Sequence, residues 1–252
     1  MENKRFLKTF ENQSAYDSQK DEVMGMPHVV LLEDTKKVVF ASNKTTPSDP
    51  FNGFEYVDLG LPSGTLWATS VLSNADGEPL YFQWGDTEGW TAEQVQNGEK
   101  SFAWDGSDYK WNDGEFAFDG SSMTKYNATD GKIVLDLEDD AAYVHMGGDW
   151  HMPTKEQFEE LTANTTSTWT TKNGIQGRLF TASNGNRLFV PAFGYVHGGS
   201  VSYIGSSGYV WGSSVYEEYL GNAWYLGFYS SNVSVRDGAR IYGRSVLGVV
   251  GK

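Results

Sequence analysis

The chain has 252 residues, 39% hydrophobic and 21% charged, which is enough to bury a complete core. Its net charge of −14 argues against a nucleic-acid partner, because phosphate binding is driven by Lys and Arg displacing counterions. The absence of cysteine excludes disulfides, thiolate metal ligands and thiol nucleophiles, and no apolar run reaches the roughly 18 residues that span a bilayer.

Taken in chain order, residues 1–45 read as a separate N-terminal segment. Residues 1–23, "MENKRFLKTFENQSAYDSQKDEV", lack the apolar core of a signal peptide, and "HVVLLEDTKKVVFAS" places two apolar runs around the polar Glu33–Lys37, the pattern of a β-hairpin. Residues 46–53, within "NKTTPSDPFNG", concentrate turn formers and read as a linker to a domain over 54–252. That domain has few helix signals. Thr91 with Gln94, and Thr154 with Gln157, each form the Thr-x-x-Gln pattern of a capping box. A further short helix is expected over "EDDAAYVHM", whose acidic start favours the positive end of its dipole. Short alternating runs such as "NRLFVPAFGYV" and "NAWYLGFYSSNVSV" read as strands. The expected class is α+β, with two or three short helices, many short strands and a small N-terminal β segment.

Candidate metal and catalytic groups are weak. His145 and His151 lie six apart with Asp149 between them, a spacing that puts no two imidazoles on one helix face; they read as a polar loop beside Trp150. The Trp-Asn-Asp triplet of "KWNDGEF" lacks a partnering oxygen-ligand motif and reads as a turn. Neither "GSS" stretch is a nucleophile elbow. No catalytic residue, metal or cofactor is expected.

The C-terminal region is distinct in composition. Residues 173–251 carry five arginines, no lysine and three acidic residues (Glu217, Glu218 and Asp237), so this stretch is net positive in an acidic chain. Its "SVSYIGSSGYVWGSSVY" is dominated by Ser, Gly and Tyr. Tyr gives large contact area on two rotatable bonds and Ser and Gly give adaptable hydrogen bonding, the composition of a binding loop; the same residues also suit an ordinary β segment with its turns.

Three stretches carry a resemblance: "YVDLGLPSGTLWATS", "GGDWHMPTKEQFEEL" and "GYVWGSSVYEEYLGNAWYLGFYSSNVSV" followed by "YGRSV". In order and spacing they resemble the C-type-lectin-fold domains of gut bacteria and their phages. That group includes the retroelement-diversified variable proteins and is related in fold to formylglycine-generating enzymes. The resemblance covers about residues 51–250, and residues 1–45 are similar to N-terminal segments of phage structural proteins. It implies a C-type lectin fold with an irregular C-terminal binding surface. The cysteine-dependent activity of the distant relatives is not implied, since no cysteine is present and Ser70 stands where relatives often carry Cys.

Adenine-directed diversification samples no Lys, Glu, Gln, Met or Trp, and between Phe193 and Gly251 only Trp211, Glu217, Glu218 and Trp224 belong to that set. The resemblance therefore implies that these four are fixed, with Trp211 and Trp224 in the core. It makes Ser213, Ser214, Asn222, Ala223, Leu226, Phe228, Val233 and Gly243 further framework. Ligand contact falls on Tyr195, His197, Ser200, Ser202, Tyr203, Tyr216, Tyr219, Tyr225, Tyr229, Ser231, Ser234, Arg236, Asp237, Arg240 and Tyr242, with Arg236 and Arg240 favoured because Arg is enriched at hot spots. The expected protein is a non-catalytic phage tail or tail-fibre adhesin. Its partner is a bacterial surface protein or glycan, and its oligomer assembles through the N-terminal segment. A bacterial cell-surface adhesin, or an enzyme of the formylglycine-generating type, is the alternative.

Overall fold

The computed structural model describes residues 51–251 throughout and, before them, three strands. The chain divides into two compact units, Met1–Asp49 and Pro50–Lys252. In the first, β1 (Phe6–Phe10) pairs in parallel with β2 (His28–Leu32), which pairs antiparallel with β3 (Lys37–Ala41). The two runs expected to form a hairpin are thus neighbours, and β1 is a strand that the charged start of the chain did not announce. The connection over residues 33–36 and residues 46–50 of the expected linker lie outside the described residues.

The second unit is an α+β domain. A six-stranded sheet in the order β13-β12-β11-β14-β5-β4 joins β4 (Tyr56–Asp58) and β5 (Leu66–Val71) to β11 (Ser207–Val215), β12 (Asn222–Tyr229), β13 (Asn232–Ala239) and β14 (Ser245–Val250). Strands β6 (Thr165–Lys172), β7 (Ile175–Ala182) and β8 (Arg187–Pro191) form an antiparallel sheet, and β9 (Tyr195–His197) with β10 (Ser200–Ser202) a short hairpin. The start and end of the domain meet where β14 pairs antiparallel with β5, Leu247 opposite Val71 and Val250 opposite Leu66.

Three short α-helices occur among the described residues. Helix α1 (Ala92–Gln96) and helix α3 (Lys155–Asn164) each start at a complete capping box, Thr91 with Gln94 and Thr154 with Gln157. Two otherwise orphaned backbone donors are satisfied at each start. Helix α2 (Ala141–Met146) starts at Asp140, whose buried carboxylate accepts from the Tyr143 amide and, across the loop, from the Met152 amide.

Four tryptophans, Trp67, Trp84, Trp150 and Trp211, are fully enclosed in the core. Three of them bond distant backbone: Trp84 Nε1 donates to Gly212 O, Trp150 Nε1 to Phe51 O and Trp211 Nε1 to Phe82 O, each within 2.8–2.9 Å. Phe51 therefore packs as part of this domain, and the turn at residues 51–53, expected to be linker, belongs to it. Trp224 is a correction. It is only half-buried, with Tyr216 edge-on at 5.1 Å and Lys155 Nζ 4.7 Å above its ring, because it lies at the N-terminal end of α3, where the helix no longer covers the sheet.

Candidate functional site: the outer face of the C-terminal sheet

Antiparallel pairing puts residues directly opposite one another on the same face of a sheet. In β11–β13, Val210 opposes Leu226, which opposes Val235, and Phe228 opposes Val233. These residues form the inner face, which packs on α3; Phe158 of that helix approaches Gly212 closely. The alternate residues form the outer face: Tyr209 opposes Gly227 and Ser234, Trp211 opposes Tyr225 and Arg236, and Tyr229 opposes Asn232. The β9–β10 hairpin extends this face. Tyr195 opposes Ser202 and His197 opposes Ser200, while Val196 points inward into a small cluster with Tyr81, Val95 and Phe102.

The outer face is paved with rings. Tyr195 stacks on Tyr203 at 5.8 Å, meets Tyr209 edge-on at 5.1 Å and lies 5.5 Å from Tyr242; Tyr209 is 5.9 Å from Tyr225. His197 sits between Tyr242 at 4.0 Å and Trp104 at 3.6 Å. Burial pushes the His197 imidazole down to about 4, against the opposing pull of the Asp108 charge, so it is neutral at pH 7. Trp104 is 71% exposed and Tyr203 57%, large aromatic surfaces left in solvent. At the sheet edge Arg236 is exposed, and its Nε donates to Ser234 Oγ at 2.7 Å.

Beneath these rings lies Arg244, 3% exposed. Its guanidinium carbon is 3.5 Å from the Tyr225 ring centroid and 4.0 Å from that of Trp211, close enough for strong cation–π attraction. Gly238 in β13 makes room for it, since a Cβ there would meet Arg244 Nη2 at 2.5 Å.

Ten of the fifteen expected contact residues share the outer face: Tyr195, His197, Ser200, Ser202, Tyr203, Tyr225, Tyr229, Ser234, Arg236 and Tyr242. Two of these, Tyr225 at 8% exposure and His197 at 7%, are floor rather than contact surface. The other five lie elsewhere. Tyr216 and Tyr219 stack on each other at 6.0 Å beyond the end of β11. Tyr216 there lines a cleft of about 360 Å³ with Trp224, Lys155 and Glu218. Asp237 points to the inner-face side, where Asn222 Nδ2 donates to it at 2.8 Å. Ser231 sits at the exposed β12–β13 turn.

Arg240 is the main correction. It is fully enclosed, donates from Nη1 to Lys125 O and from Nη2 to Tyr126 O, and lies 4.6 Å above the Trp84 ring. Its charge pins the loop that precedes α2 to the sheet and cannot reach a ligand. Sequence reasoning missed Trp104, Tyr209 and Arg244. Arg244 left one signal, a lone cation in the apolar run "YGRSVLGVV".

The residues weighed as metal ligands bond backbone carbonyls of the chain. Asn112 Nδ2 donates to Gly106 O and Gly114 O, shaping its own loop. His145 Nε2 bonds Thr87 O and His151 Nδ1 bonds Met152 O. Among the described residues one acidic group has metal-like proximity, Asp136, Glu138 and Asp139. Lys125 bridges all three, and Lys132 and Lys110 complete the charge balance. No helix among the described residues is long and apolar enough to cross a membrane. Comparison with family models, curated proteins and solved structures finds no match.

Proposed function

We propose that this protein is a non-catalytic receptor-binding protein, a phage tail or tail-fibre adhesin with a C-type lectin fold that meets a bacterial surface through its outer face. One observation carries the reading: a contiguous floor of tyrosines with exposed Trp104, Tyr203 and Arg236 at its rim, built on a sheet whose other face is packed core. Aromatic and Arg side chains dominate the energetics of binding surfaces, and rigid Tyr rings lose little entropy on contact.

The pattern expected of a diversified surface agrees with this placement. Trp211 is buried, Trp224 is half-buried, and Glu217 and Glu218 lie at the far end, so none of the four residues that such diversification cannot sample is exposed on the outer face. The test is binding of the labelled protein to a panel of gut-bacterial isolates. The wild type binds a subset of strains, and the Trp104→Ala/Tyr203→Ala variant loses those strains while melting at the same temperature. Retention of binding by a folded variant would falsify the assignment.

A further inference from the structure

The arginine under the tyrosine floor is buried. Among the described residues Arg244 makes no ion pair, and its Nε and Nη1 are buried without an acceptor. Burying an unpaired cation is costly, and ring faces repay only part of that cost. The cost falls where the outer face is most aromatic: the ring centroids of Tyr225, Tyr242 and Tyr209 lie 3.5, 5.6 and 5.8 Å from the guanidinium carbon, and Tyr195 packs against the last two. Among the described residues none of those four hydroxyls bonds a protein acceptor. Phenolic O–H groups beside a cation are strong donors to an anion. Arg236 adds a second positive charge at the rim, and the chain elsewhere is acidic, with a net charge of −14.

Resting on the binding function proposed above, we infer that the outer face is a subsite for an acidic sugar, a pyranose bearing a carboxylate. The apolar C–H face of the ring would lie on Tyr203, which is 57% exposed and stacks on Tyr195. Its carboxylate would accept from the tyrosine hydroxyls over Arg244, supplying the missing counter-charge without any movement of the guanidinium. A flat ring with an apolar face and a polar edge suits this surface of stacked aromatics with few convergent donors.

The experiment is saturation-transfer NMR on the full chain with D-glucuronate, D-galacturonate and N-acetylneuraminate, each against its carboxyl-reduced counterpart. At least one acid should bind tenfold or more tightly than its reduced form, and Tyr242→Phe, which keeps the ring and removes the hydroxyl, should erase most of that preference. Arg244→Met should do the same; should that variant not fold, the wild-type comparison and Tyr242→Phe decide. Binding of no acid, equal binding of acid and reduced forms, or a preference that survives Tyr242→Phe overturns the proposal. Cell binding that survives Trp104→Ala/Tyr203→Ala overturns the underlying assignment of the face.

Discussion

The two faces of β11–β13 are made from alternate residues of the same strands, yet they obey different rules. The inner face is apolar where α3 closes it, and leaves Leu226 and Phe228 almost no solvent. The outer face is aromatic and polar, leaves Tyr229 and Arg236 exposed, and buries a guanidinium that makes no ion pair among the described residues. A packed face is satisfied by the chain itself. A face with open rings and a cation that makes no ion pair among the described residues is the one to which we assign the partner.

The largest effect that sharpens this contrast is Trp211→Ala. Trp211 lies below the outer face, fully enclosed and bonded to Phe82 O, so its truncation should cost about 3–5 kcal/mol in thermal or denaturant unfolding. Next comes Arg240→Ala, at about 2–3 kcal/mol, because two carbonyls lose a charged donor in a buried place. Arg236→Ala, four residues earlier, should move stability by about 0.5 kcal/mol or less. Equal costs for the two arginines would break the separation of framework from surface.

A smaller effect comes from pH. The folded state holds His197 near 4 by burial, against an ordinary value of 6.5, so between these values the unfolded chain binds the additional proton. Stability is full above pH 6.5 and falls as pH drops from 6.5 toward 4. Melting curves across that window should show the loss in the wild type and a flatter profile in His197→Gln.

Much of the scaffold is legible in the sequence. Each capping box marks a helix start, since Thr followed three residues later by Gln satisfies backbone donors locally, and the alternation in "NAWYLGFYSSNVSV" becomes β12 and β13. What is not legible depends on distant partners. The pairing of β14 with β5 joins residues some 180 apart. Strand parity then separates Tyr225 from Trp224, and only the folded loop shows that Arg240 bonds Lys125 and Tyr126 rather than a ligand. A buried Arg and an interface Arg read alike in one dimension. Trp104 gains its meaning only by lying against His197, ninety-three positions later in the chain.

The central claim, that recognition belongs to the outer face, is tested most directly by two matched triple variants. One is Trp104→Ala/Tyr203→Ala/Arg236→Ala; the other is Tyr216→Ala/Tyr219→Ala/Glu218→Ala at the far end of β11. Both should melt within a few degrees of the wild type, since most of these side chains are exposed. In binding to a strain that the wild type recognises, the outer-face variant should lose at least a hundredfold in affinity and the far-end variant should keep it within about twofold, as expected when a few aromatic and Arg contacts carry most of the energy. Loss of binding in the far-end variant, with the outer-face variant unaffected, would contradict the account.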